Sequence, residues 1–180
     1  MMKIYVISLI KDSDRRDLLR KSFIKYYENF TIFNALDHSD AKNYLSNEPK
    51  LKKNKIHMSL SEIACALSHL KVLNNIAFDD TDLSLILEDD IIGEDTDIEE
   101  IKNVYLSLPN GSILIAGGQE GLRSFKNLYG TLIDEQNNLY KIPNLYYRYL
   151  SRACCYVLSS DLAKKIIKLQ EAGLDRADQW

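Results

Sequence analysis

Glycine and proline are scarce in this chain of 180 residues, at seven and three. That excludes a collagenous or proline-rich architecture. The cysteines Cys65, Cys154 and Cys155 are odd in number and follow no repeated spacing. They fit neither a disulfide framework nor a zinc site, and they indicate a reducing compartment. No apolar run approaches the ~18 residues that a membrane span needs. Residues 1–10 open like a short signal peptide, but the apolar run stops at Lys11-Asp12-Ser13-Asp14-Arg15-Arg16, with no small-residue cleavage site. A buried first strand is the better reading, and the expected location is the cytoplasm. Positive charge is not in excess either: the net charge is −3 and the pI about 5.6. Duplex nucleic-acid binders are ordinarily basic because phosphate contacts dominate their affinity, so no nucleic-acid partner is expected.

What is present is a globular composition. Hydrophobic residues make up 46% and charged residues 27%, which excludes intrinsic disorder. A chain of this length buries roughly two thirds of its unfolded surface and folds without a disulfide or metal. The expectation is a single domain over residues 1–180.

Periodicity predicts alternating strands and helices. Residues 3–9 read as a buried strand, followed by a helix over 15–28 with Leu18, Leu19, Phe23 and Tyr26 as its apolar stripe. Residues 30–36 read as a strand, and 37–56 as an exposed loop carrying Lys50, Lys52, Lys53 and Lys55. Residues 59–77 are the clearest helix, with apolar positions at three- and four-residue spacing and a capping-box pair, Ser59 and Glu62. Residues 83–87 form a short apolar strand, 98–106 a helix and 112–116 a buried strand. Residues 128–133 and 139–142 flank Asn137-Asn138 as a hairpin. Residues 153–158 read as a strand, and Ser160 as the cap of a last helix ending near Gly173. This alternation specifies an α/β sheet.

Residues 79–100 contain eleven acidic side chains and neither Lys nor Arg. Within them, Glu88-Asp89-Asp90 directly follows an apolar strand, at the carboxyl edge where open α/β sheets bind ligands. Strand alternation sets Glu88 and Asp90 on one face and Asp89 on the other. Adjacent carboxylates repel unless a cation or strong donors compensate, and a hard divalent cation bridging to phosphate would do so. A solvated strand end is the other reading. Arg15-Arg16 can take a phosphate or a carboxylate, or simply begin an exposed helix. Glu62 and His69 share one helix face, as catalytic groups or as a cap and a structural histidine, and Cys65 reads as a small core residue. Gly117-Gly118-Gln119-Glu120 lets a ligand approach the backbone, but no Lys-Ser/Thr follows, so it is no phosphate-cradling P-loop. Tyr146, Tyr147 and Tyr149 read as a core-packed strand, with stacking on sugars or bases as the alternative.

Three of these blocks together resemble a known family. The strand Tyr5-Val6-Ile7-Ser8-Leu9 followed by Asp14-Arg15-Arg16, the block Glu62-Ile63-Ala64-Cys65-Ala66-Leu67-Ser68-His69, and Leu85-Ile86-Leu87-Glu88-Asp89-Asp90 are similar to family 25 glycosyltransferases of bacterial lipooligosaccharide synthesis. Cys155-Tyr156-Val157-Leu158-Ser159 resembles a later strand of that family. Ser61 and Ala64 stand where the family commonly has glycine. The chain ends at Trp180, within a segment (Asp175-Arg176-Ala177-Asp178) that resembles the family's C-terminal acidic motif, which implies a C-terminally short domain.

The resemblance implies a GT-A-like, Rossmann-like nucleotide-sugar-binding fold, with a mostly parallel central sheet flanked by helices. It implies a UDP-galactose or UDP-glucose donor, Mn²⁺ or Mg²⁺, a lipooligosaccharide or lipopolysaccharide glycan acceptor, and transfer with inversion. Asp90 is then the first metal ligand. Glu88 is a second ligand, or holds the ribose or an outer-sphere water. Ser8, Arg15, Arg16, Glu62, His69, Asp89 and Gly118 are implied on the nucleotide side, and Asp178 or Glu120 as the base. Peripheral inner-membrane contact through the lysine loop at 50–55, or through a basic tail, completes the expectation, and the oligomeric state stays open. An inactive sugar-nucleotide-binding relic and a Mg²⁺-binding receiver-like domain are the alternative functions.

Overall fold

The computed structural model describes residues 2–47, 58–79, 81–172 and 174–177. The lysines at 50–55, the expected helix end at Gly173 and the candidate base Asp178 lie outside the described residues.

Alternating Ile, Val, Tyr and Leu residues build the centre of the molecule. Strand β1 (Lys3–Ser8) pairs in parallel with β2 (Phe30–Asn34) on one side and β3 (Ser84–Glu88) on the other. Strand β7 (Cys155–Leu158) inserts antiparallel between β3 and β4 (Leu114–Ile115). The order is β2-β1-β3-β7-β4, and every strand but β7 runs the same way. The sheet is therefore mostly parallel, as expected.

Side-chain alternation sorts the core into two layers. Ile4, Val6, Leu85, Leu87 and Val157 pack with Leu19 and Phe23 at helix α1 (Ser13–Ser22), and with Ile98 of α4 (Asp95–Ser107). On the opposite face, Tyr5, Ile7, Ile86, Tyr156 and Leu158 pack with Val72, Leu73 and Ile76 of α3 (Leu60–Asp79), and with Ala163 and Ile166 of α5 (Ser160–Ala172). Each fully buried Leu, Ile or Phe stabilises by roughly 1.5–3 kcal/mol relative to exposure. Helices flank the sheet on both faces, a Rossmann-like arrangement.

Several local expectations need correction. Helix α1 stops at Ser22, Leu18 is exposed, and Tyr27–Asn29 form a separate 3₁₀ turn. Phe23 is instead buried, and Tyr26 half-buried, by packing beyond the helix end, which is why their spacing mimics a longer helix. The region expected to be a loop contains α2 (His38–Asn47). Its Ala41 is fully buried against Ile63, Ala64 and Leu67 of α3, so tertiary packing stabilises a helix of weak intrinsic pattern. Tyr146, Tyr147 and Tyr149 lie on a 3₁₀ helix (Asn144–Tyr149) rather than a strand. The hairpin expectation holds, with β5 (Thr131–Asp134) antiparallel to β6 (Leu139–Lys141) and Asn138 in the left-handed region at φ 48°.

Candidate functional site

Because β1 and β3 are parallel neighbours, their carboxyl ends lie side by side, with Ile7 opposite Glu88. The chain passes from β1 to β2 on one side and then crosses back to β3 on the other. That reversal opens a crevice at the carboxyl edge. A cleft of about 520 Å³ lies there. Its walls are Ile7 and Leu9 after β1, Lys11, Asp12 and Arg15 at α1, 35–39 after β2, Ser61, Ala64, Cys65 and Ser68 of α3, and Glu88, Asp89 and Asp90.

The three carboxylates have three environments. Glu88, the last residue of β3, faces α3. Its Oε1 lies 3.1 Å from His69 Nε2 and 3.8 Å from Cys65 Sγ. Burial pushes its carboxyl up, but the His69 hydrogen bond and electrostatics, with Cys65 and Arg15, outweigh this and hold it below the ordinary value. An ionised Glu88 only accepts, so His69 Nε2 donates. The other ring nitrogen, Nδ1, lies 2.9 Å from the Tyr156 hydroxyl, and both rings are buried.

Asp89 points to the opposite side, where Arg15 Nη1 donates to Oδ1 at 2.8 Å. Its Oδ2 is buried and has no hydrogen-bond partner among the described residues. Asp90 is exposed in the turn that follows and lines the cleft. This donor set suits a hard divalent cation: an open carboxylate at Asp90, and beside it in sequence an orphaned carboxylate oxygen that a cation would satisfy.

The two arginines diverge. Arg15 is on the cleft wall. Arg16 turns inward: Nε donates to Ser8 Oγ at 2.9 Å, and Nη2 to the carbonyls of Ser8 and Leu9 and to Asn34 Oδ1 at 3.0–3.2 Å. Arg16 thus ties the ends of β1 and β2 together, and Ser8, buried, is part of that clamp.

Glu62 performs the expected capping role. Its Oε2 accepts from Ser59 N at 2.8 Å, and its own N–H donates to Ser59 Oγ at 3.2 Å. Its Oε1 also lies 3.1 Å from Arg176 Nε, which ties Arg176 to the start of α3. Gly118 has φ +79°, and a Cβ there would lie 2.5 Å from Cys154 Sγ. Packing against Cys154 by itself requires a glycine there. Glu120 is exposed beyond β4 and is not on the cleft wall.

Cys65 is also corrected: it is exposed and lines the cleft, where it joins His69 and Glu88. Its four-residue spacing to His69 carried the signal, but the partner from β3 is 23 residues away. Asp37, His38 and Ser39 were hidden by the loop reading, although they follow a strand just as Glu88-Asp89-Asp90 does. Asp37 caps α2, and the Ser39 hydroxyl, with the N–H groups of Asp40 and Ser39, holds its carboxyl below the ordinary value. Cys154 adjoins the site from β7's side, with its thiol pushed up by burial and then by the charges of Glu88 and Asp90.

The family described as glycosyltransferase family 25 (LPS biosynthesis protein) matches residues 1–177. A "putative glycosyltransferase" of Acanthamoeba polyphaga mimivirus is 32% identical over 122 residues. The matched stretch is 64% of this chain and 37% of that relative's length.

Proposed function

This chain belongs to glycosyltransferase family 25, and from that premise we propose that it transfers galactose or glucose from a UDP-sugar to a lipooligosaccharide or lipopolysaccharide glycan, with inversion. The observation that carries this reading is the carboxyl edge itself: an open carboxylate at Asp90, an orphaned oxygen on Asp89 and a cleft-facing Arg15 in one crevice. An acidic edge facing a cleft suits a cation–diphosphate ligand, and a GT-A-like division of labour accommodates it.

In this reading an acceptor hydroxyl attacks the anomeric carbon as the bond to UDP breaks, and a carboxylate takes the hydroxyl proton. Asp178 is assigned as that base on the family resemblance, since Glu120 is away from the cleft. Asp90, with the free oxygen of Asp89, would hold Mn²⁺ or Mg²⁺. When bound, the cation supplies charge neutralisation for the leaving diphosphate. Arg15 binds the nucleotide side, and Arg16 and Ser8 hold the strand ends in place beneath it. Glu88, committed through Oε1 to His69, serves the ribose or an outer-sphere water.

The acceptor is membrane-linked, so the reading includes contact with the anionic cytoplasmic leaflet. Residues 121–152 carry five basic and two acidic side chains in a chain of net charge −3, and Tyr129, Leu132, Tyr140, Leu145 and Tyr147 are exposed there. No helix among the described residues is long and apolar enough to cross a membrane.

The test is a thermal-shift titration with UDP, with and without Mn²⁺, followed by a UDP-release assay with each UDP-sugar and a lipooligosaccharide core acceptor. Metal-dependent stabilisation by UDP and acceptor-dependent UDP release are expected. Stabilisation without release would favour the sugar-nucleotide-binding relic, and the absence of both would overturn the donor assignment.

A further inference from the structure

Cys65 and His69 stand four residues apart on α3, so helical geometry sets them on one face, a turn apart. Glu88 reaches them from the end of β3. The Sγ, imidazole nitrogen and carboxylate oxygen all lie within 4.8 Å of one another. Two of the distances are 3.1 Å (His69 Nε2 to Glu88 Oε1) and 3.8 Å (Cys65 Sγ to the same oxygen). A tetrahedral zinc ion, with Zn–S about 2.3 Å and Zn–N and Zn–O about 2.0 Å, holds its ligand atoms roughly 3.3–3.5 Å apart. Both distances to the Glu88 oxygen are within about 0.3 Å of those values, and the third side is no longer than 4.8 Å.

We propose that Cys65, His69 and Glu88 form a binding site for a zinc-class transition-metal ion, with its fourth position open to the cleft. Thiolate and imidazole donors select Zn²⁺ over Mg²⁺ or Mn²⁺, which prefer oxygen. The site is therefore chemically distinct from the oxygen donors at Asp89 and Asp90, and it stands whether or not the transferase reading does.

Three features support it. His69 is buried, and its second ring nitrogen is held by the Tyr156 hydroxyl at 2.9 Å, the kind of outer partner that orients a metal-binding imidazole. The donors come from a helix and a central strand, both rigid elements. Cys65 is exposed on the cleft wall, which gives an ion its entry path.

Binding moves protons in a defined way. The Cys65 thiol releases its proton to solvent. Glu88 stays a carboxylate and exchanges the His69 N–H for the metal. The imidazole presents its Nε2 lone pair to the metal and carries its proton on Nδ1, which donates to the Tyr156 oxygen. A tyrosine hydroxyl donates or accepts, so Tyr156 serves both tautomers.

The experiment uses the full chain, stripped of metal and kept reduced. Zn²⁺ binding is measured by calorimetry, and Co²⁺ is added as an optical probe. The expected result is one saturable equivalent of Zn²⁺, undisturbed by excess Mg²⁺, and a thiolate-to-cobalt charge-transfer band. Cys65→Ser should abolish the band and weaken Zn²⁺ binding by more than the roughly tenfold that losing only an outer hydrogen-bond partner of a ligand costs, whereas Asp90→Asn should leave both intact. Cys65 is exposed, so Cys65→Ser keeps the fold, as an unchanged melting temperature will verify. His69→Ala alters a buried group and is read only alongside it. No saturable binding, a band that survives Cys65→Ser, or Zn²⁺ affinity lost with Asp90→Asn but not with Cys65→Ser would each overturn the site.

Discussion

Arg15 and Arg16 are adjacent in sequence yet perform different tasks. Arg16 spreads one guanidinium over four acceptors on β1, the following residue and β2. Arg16→Lys keeps the charge and loses the planar fork, and should cost about 1–2 kcal/mol in urea unfolding. Arg15→Lys should instead lower UDP affinity with a smaller loss of stability, because Arg15 is half exposed on the cleft wall. Equal UDP affinity in wild type and Arg15→Lys would remove Arg15 from the nucleotide site. Asp90→Asn is expected to abolish metal-dependent UDP binding. The apo melting temperature should hold or rise, since one repelling carboxylate is removed from the cluster. UDP affinity unchanged in that variant would exclude Asp90 as the cation ligand. That a charged triplet ends β3 was legible in the sequence, and so was the opposition of Glu88 and Asp89. The partner of each was not, because Arg15 lies 74 residues from Asp89, and His69 lies 19 residues from Glu88 on a different element.

At the scale of elements, the loop after β4 tests what its glycines are for. Gly117 and Gly118 both have φ near +80°, a region that L side chains rarely adopt. A Cβ at Gly117 would meet nothing within 4 Å, whereas one at Gly118 would press on Cys154 Sγ. Gly117→Ala should therefore cost only the backbone strain, about 1–2 kcal/mol, and Gly118→Ala more, because overpacking adds about 1–3 kcal/mol. Melting temperatures of the two variants decide this, and equal losses would mean that Cys154 yields without cost. Helix α3 was readable almost to its ends, because its apolar spacing and its Ser59–Glu62 box are local signals. Helix α2 was not, because what stabilises it is the burial of Ala41, Tyr44 and Leu45 against α3, some twenty residues along the chain.

For the whole molecule, charge couples stability to pH. The carboxyls of Glu62, Asp79, Glu88, Glu99, Asp37 and Asp134 are all held below their ordinary values. A depressed carboxylate stabilises the fold above its unfolded value, and that contribution is lost as pH falls through the folded one. The melting temperature should thus be flat through neutrality and fall progressively once the pH drops below 4.5, the ordinary glutamate value. Glu99 accepts from Lys25 and from the Tyr26 hydroxyl. Glu99→Gln should therefore flatten part of the acid fall, and an identical acid profile would show these bonds to be inconsequential. Surface charge gives a second whole-molecule expectation. Each basic side chain near an anionic bilayer contributes about 1 kcal/mol, so residues 121–152 should bring the protein up with anionic liposomes at low salt and release it at high salt. Failure to co-float at low salt would remove membrane contact from the proposed function.

The sequence by itself determined the succession of strands and helices, the caps, and the acidic triplet at the end of an apolar strand, because these rest on periodicity and on hydrogen bonds within a few residues. Its three matching blocks also specified the family. Only the tertiary structure decided that β7 enters antiparallel between β3 and β4, that Arg16 is a clamp while Arg15 faces the cleft, and that Cys65 joins His69 and Glu88 instead of the core. Those outcomes depend on which apolar faces bury each other across the sheet, and such pairings leave no periodic mark on the residues that make them.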